Sequence, residues 1–144
     1  MKEQIISFEV AKLAKEKEFD EYCFRGYKVN TKKLISISDI DFEEVIHQRD
    51  LGNDHSVFEE LFFKNSQVIN NYSITAPTQS LLQKWLREKH ELSIEVFSDE
   101  ARWEVIVEKL PSYSAHDSEY STDDKFNTYE EALERGLKQA LKLI

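Results

Sequence analysis

The sequence predicts an α+β fold, with helices packed on an antiparallel sheet. Three observations carry that expectation. Two alternating runs, "ELSIEVF" and "RWEVIVEKL", are separated by the turn-like "SDEA" and read as a hairpin over about 92–97 and 102–110. Two segments with capping signals and helical apolar stripes flank it, over about 77–89 and 129–143. The 144 residues include nine Phe, six Tyr and two Trp, enough apolar bulk for one core, and no Gly/Ser/Pro-rich linker divides positions 1–144. One domain is therefore expected.

Taken in order, the first helix is expected over about 8–18. Ser7 can accept from the amides one turn ahead, and Glu9 sits against the positive helix end. Val10, Leu13, Ala14 and the methylene stem of Lys17 share one face. "YCFRGYKV" then reads as extended, with Cys23, Arg25, Tyr27 and Val29 on one side. Gly26 within it suggests a bulge or a close backbone neighbour. "LISIS" favours a strand, and "DIDFEEVIHQRDLG" a short helix stopped by Gly52. "SVFEELFF" fits a helix or a buried strand, and "QVINNYSI" reads as extended.

Pro77 is expected in the first turn of the second helix, where a missing N–H costs least. Leu81, Leu82, Trp85 and Leu86 form its stripe. In the hairpin, Leu92, Ile94, Val96, Trp103, Val105 and Val107 belong to the dry face. Ser93, Glu95, Phe97, Arg102, Glu104 and Glu108 belong to the wet one. The stretch 111–127 is polar and without period, so it is a functional loop, a disordered one, or one hiding a short strand. Thr128 and Glu131 have capping-box spacing, and Leu133, Gly136, Leu137, Ala140, Leu141 and Ile144 follow as a stripe. Gly136 costs that helix about 1 kcal/mol of propensity, so close packing on the sheet is expected to offset it.

The charge arithmetic is 19 − 28 = −9. A chain this acidic repels phosphate at long range, which disfavours nucleic acid and anionic membrane surfaces as partners. The densest basic stretches, Lys12, Lys15 and Lys17 and then Lys28, Lys32 and Lys33, are interrupted or flanked by acids. No apolar run nears the roughly 18 residues of a membrane helix, and no signal-peptide pattern opens the chain, so a cytoplasmic location is expected. One cysteine excludes an internal disulfide framework and a multi-thiolate metal site. Three glycines, at 26, 52 and 136, cannot build a phosphate cradle.

Four histidines, His47, His55, His90 and His116, include no helical zinc-site pair. "NDH" (53–55) and "AHD" (115–117) put a carboxylate beside an imidazole, but sequence neighbours usually diverge in space. Cys23 lies in an aromatic strand-like run, where a free thiol behaves as a small buried hydrophobe. The acidic pairs Asp39/Asp41, Glu43/Glu44, Glu59/Glu60 and Asp123/Asp124 match no calcium-loop spacing. Trp85 and Trp103 read as core rather than as a ligand cage. No residue is assigned as catalytic, cofactor-binding or metal-binding, and no cofactor is expected.

Two segments also carry a resemblance. "APTQSLLQKWLREKHELSIEV" and "TYEEALERGLKQALKLI", with "SFEVAKLAKEKEFDEYCF" at the start, resemble a family of small uncharacterised proteins of Bacteroidetes genomes, often in phage or prophage settings. The resemblance covers somewhat over a third of the chain and implies an α+β fold and a mobile-element setting, with no activity and no site residues. The element order also resembles the α-β-β-β-α order of double-stranded RNA-binding domains, provided 111–127 holds a third strand. Those domains open their last helix with lysines, whereas this chain has Asp123, Asp124, Glu130 and Glu131 there. The expected function is that of an acidic, non-enzymatic accessory protein acting through a protein partner or self-association. The competing readings are an enzyme whose site gathers Cys23, His116 and Asp117, and a nucleic-acid module.

Overall fold

A computed structural model describes residues 3–36, 65, 73–111, 118–121 and 124–144. Among them are three helices and two three-stranded antiparallel sheets: α1 (Phe8–Glu16), β1 (Arg25–Lys28), β2 (Leu34–Ser36), β3 (Ser73–Thr75), α2 (Gln79–His90), β4 (Leu92–Asp99), β5 (Arg102–Lys109), β6 (Ser118–Ser121) and α3 (Tyr129–Lys142). The fold is α+β. The sheets have orders β2-β1-β3 and β4-β5-β6.

Side-chain capping starts each helix. Ser7, Thr78 and Thr128 stand at the three N-caps in extended conformation, and each side chain accepts an amide one turn in. At α3 the box is reciprocal in kind: Thr128 Oγ1 takes the Glu131 amide at 3.1 Å, while Glu131 reaches back to the Asn127 amide at 3.1 Å. Two helix boundaries differ from the sequence expectation. Pro77 lies before the cap rather than inside the first turn, because the Thr78 hydroxyl occupies the N-cap and Pro77 O accepts from Ile6 N. The first helix stops at Glu16 instead of 18, since Glu18 turns left-handed at φ 64.

β4 and β5 pair in strict register, Leu92 with Lys109 through Asp99 with Arg102. The connecting turn is only Glu100 and Ala101, shorter than the expected "SDEA", because Ser98 and Asp99 extend the ladder. Glu100 takes φ 55, the sign a two-residue hairpin turn needs at its first central position. The 111–127 stretch does hold a short strand: β6 pairs with β5 across a register shift at Val107/Glu108. Phe126 and Trp103 then exchange backbone bonds of 2.9 and 2.8 Å before α3 begins.

The inner face of the β4–β6 sheet carries Ile94, Val105 and Val107, all buried. α3 lies on it with Leu133, Leu137, Ala140 and Leu141. An added Cβ on Gly136 would stand 2.6 Å from both Ile94 Cγ2 and Val105 Cγ2, so the helix approaches as closely as the glycine was expected to permit. α2 packs against α3 and β4 through Leu82, Leu86 and Trp85, which is 7 % exposed and meets Phe19 edge-on at 5.2 Å. α1 lies between α3 and β3, burying Val10, Ala11 and Ala14. In the small sheet Gly26 is the buried centre, with Ile35 and Thr75 as its two partners. The expected elements at "DIDFEEVIHQRDLG" and "SVFEELFF" lie outside the described residues.

Candidate functional site

A half-open groove of about 360 Å³ lies where the first residues, the start of β1 and the N-terminus of α2 meet. Ile5, Pro77 and Leu81 give it apolar walls, Tyr22 and Phe24 stand at its mouth, and Cys23 forms part of its floor. Its polar groups are few. Glu3 is held below the usual carboxylate range by hydrogen bonds from the Ser80 and Thr78 side chains, against the positive end of α2. Arg25 supplies a cation on the other side.

Cys23 is 3 % exposed, and its Sγ donates a weak bond to Glu21 O at 3.5 Å. Burial pushes its thiol up to about 12, with the nearby Thr75 hydroxyl pulling the other way and the Glu21 charge adding to the rise. A thiol in that environment is neutral at physiological pH and a poor nucleophile. The other two members of the sequence-derived triplet, His116 and Asp117, lie outside the described residues, as do His47, His55, Asp39, Asp41, Glu43, Glu44, Glu59, Glu60 and Asp123. No histidine is among the described lining residues of the groove. His90 instead packs edge-on against Trp85 at 4.5 Å, in the last turn of α2. Among the described residues, no group of three His, Cys, Asp or Glu side chains could hold a metal ion.

A polar hub that the sequence did not signal joins the three helix layers. Gln79, 4 % exposed, donates through Nε2 to Glu130 O and to Glu134 Oε2, both at 3.0 Å. Glu134 Oε1 accepts the Ser7 amide at 2.7 Å. The partners are 55 and 127 residues apart in sequence, so no local spacing could announce them. Nearby, Tyr27 OH donates to Ile6 O at 2.7 Å, and burial followed by the Glu134 charge raises its phenol above the ordinary value. These bonds satisfy buried polar groups and hold α1, α2 and α3 together; their role is structural.

The outer face of the β4–β6 sheet is the remaining surface of distinct chemistry. The register places Glu95, Phe97 and Asp99 of β4 beside Ile106, Glu104 and Arg102 of β5, with Ser93 and Glu108 at one end. Phe97 is 38 % exposed, and Ile106 is half-buried. Lys125 reaches over this face to Asp99 at 3.1 Å and Glu104 at 2.9 Å, and these two hydrogen bonds raise its ammonium above the ordinary value. Four acids against Arg102 and Lys125 leave the face net negative.

No family model matches the chain, and neither does any curated protein or solved structure. The observed order α2-β4-β5-β6-α3 repeats the element order of double-stranded RNA-binding domains, and there the likeness stops. Glu130 and Glu131 stand in the first turn of α3, Asp124 before it pairs with Arg135, and Lys125 is engaged by two carboxylates.

Proposed function

We propose that the chain is a small acidic interaction protein, non-enzymatic and encoded by a phage or other mobile element, that binds a basic protein partner. The observation that carries this reading is the outer face of the β4–β6 sheet, where Phe97 and Ile106 sit among Glu95, Asp99, Glu104 and Glu108. A surface with apolar residues inside an acidic rim attracts a cationic partner at long range and offers it area to bury on contact. The net charge of −9 supports the same sign of partner. The burial and raised thiol of Cys23 weigh against the competing enzyme reading. The acidic start of α3 weighs against nucleic acid. The mobile-element setting rests on the family resemblance of the opening segment and the 77–96 and 128–144 stretches.

Among the described residues no helix is long and apolar enough to cross a membrane, so the reading invokes no membrane anchor. The test is affinity capture from host lysate at low and high salt with wild type and a Glu95→Lys, Phe97→Ser double variant. The expected result is a basic protein retained at low salt by wild type, released by salt, and absent from the variant. Equal capture by both proteins, or none by wild type, overturns the reading.

A further inference from the structure

The hydrogen-bond parity of the hairpin shows which backbone groups of β4 point away from the sheet. Leu110 N donates to Glu91 O at 2.6 Å, which makes Glu91–Leu110 a bonded pair. Alternation then turns the N–H and C=O groups of Ser93, Glu95, Phe97 and Asp99 toward β5. Trp103 agrees from the other side, since both of its backbone groups bond Phe126 rather than β4. Ile94, Val96 and Ser98 therefore face the open edge. Gln83 Nε2 fills one of these positions by donating to Ile94 O at 2.9 Å. The N–H and C=O of Val96 and Ser98 have no partner among the described residues. Ser98 is exposed, so among the described residues the second half of this eight-residue strand presents an unpaired edge.

Natural sheets cover or blunt such edges, because an unpaired row of amides and carbonyls templates another strand. We propose that the β4 edge takes an extended basic segment of a partner protein as a fourth strand of the β4–β5–β6 sheet. The inference rests on the interaction reading above and specifies where and how the partner docks. Charge complementarity selects the occupant. Along β4 the outer-facing side chains run Glu95, Phe97, Asp99, and Glu95 forms no ion pair with any described residue. An added strand with a basic, an apolar and a basic side chain at alternate positions would set the first two beside Glu95 and Phe97 and let the third share Asp99 with Lys125. A second copy of β4 would instead extend the acidic face with another acidic face.

The test is an amide-resolved NMR titration of the full chain at about 50 mM salt with the synthetic peptide TKTVTKT, acetylated and amidated. Its lysines and valine share one face, and its threonines turn their amides toward β4. The expected result is perturbation and exchange protection of the Ile94, Val96 and Ser98 amides, with binding weakened about tenfold or more when the peptide's threonines are N-methylated. Ser98→Pro, at an exposed position, removes an outward N–H, and Val96→Pro removes another together with a side chain packed on the core. Both are expected to weaken binding to the same degree, and Ser98→Pro to leave the fold's spectrum intact. N-methylation leaves the protein unaltered, so it decides the matter should either proline variant misfold. Equal binding of both peptides, lost on Glu95→Lys, overturns edge pairing and leaves the acidic face as the docking site. A parent peptide that moves no β4 amide overturns the edge proposal, whereas lysate capture tests the wider reading separately. A concentration-dependent dimer in sedimentation that Val96→Pro abolishes assigns the edge to a second copy and likewise overturns it.

Discussion

The two sheets are held by different means. In β4 and β5, each eight residues long, one face is dry, so Ile94, Val105 and Val107 bind the sheet to α3 by burial alone. The strands of the β2-β1-β3 sheet have only three or four residues and cannot supply such a row. Bonds from outside the sheet add to the burial of Ile74 in holding it. Asn65 donates to Phe19 O at 2.7 Å and accepts the Thr75 amide at 3.0 Å, and Tyr27 OH ties β1 to the segment before α1. The long strands present a continuous row of side chains to bury, whereas the short ones bury little more than Ile74 and add specific polar partners.

Leu137→Ala attacks the dry interface and is expected to cost about 2–5 kcal/mol, read as a lower urea midpoint for the whole chain. A loss below 1 kcal/mol would mean that α3 is not the keystone of the larger sheet. Gly136→Ala tests how tightly that interface closes. Ala favours the helix by about 1 kcal/mol, but its methyl meets two buried branched side chains at 2.6 Å. Overpacking wins, for a net loss of about 1–3 kcal/mol. Asn65→Ala leaves the Thr75 amide and Phe19 carbonyl unpaired, at a cost of about 1–3 kcal/mol. Hydrogen exchange should then rise in β1 and β3 before it rises in β4 and β5; a uniform rise would erase the contrast between the sheets.

Glu91→Gly is expected to gain about 0.5–1 kcal/mol, because Glu91 closes α2 in the left-handed region at φ 56. The smallest effect at neutral pH belongs to Cys23. Its folded thiol lies near 12 against an ordinary 9.0, so the unfolded chain ionises first as pH rises. Its contribution to stability is complete below pH 9.0 and lost between there and about 12, and Cys23→Ala should flatten that part of the curve. At pH 8, labelling of the native thiol by a disulfide reagent should proceed only at the rate of unfolding. Fast labelling would show that the groove admits reagents to an ionised sulfur.

The elements legible in the sequence were those with their own punctuation. Thr128 and Glu131, the Leu133–Leu141 stripe and the alternation of Leu92–Phe97 each carry a local reason for one conformation. Gly136 was legible as a contact because only packing could repay its low propensity. The Gln79–Glu134–Ser7 hub was not, since its members meet only after three helices have docked. The candidate site was less legible than the fold. Alternation put Phe97 and Glu95 on the wet face, but nothing in it says which strand lies at the edge of the described sheet.

Sequence alone determined the α+β class, the capped helices, the hairpin and the sign of the charge, because each follows from propensity, period or composition within a short window. Tertiary structure decided the buried hub, how far burial raises the Cys23 thiol, and which edge of β4 is unpaired among the described residues. Those depend on which distant groups share a low-dielectric core and which backbone groups find partners, and both are properties of the assembled layers.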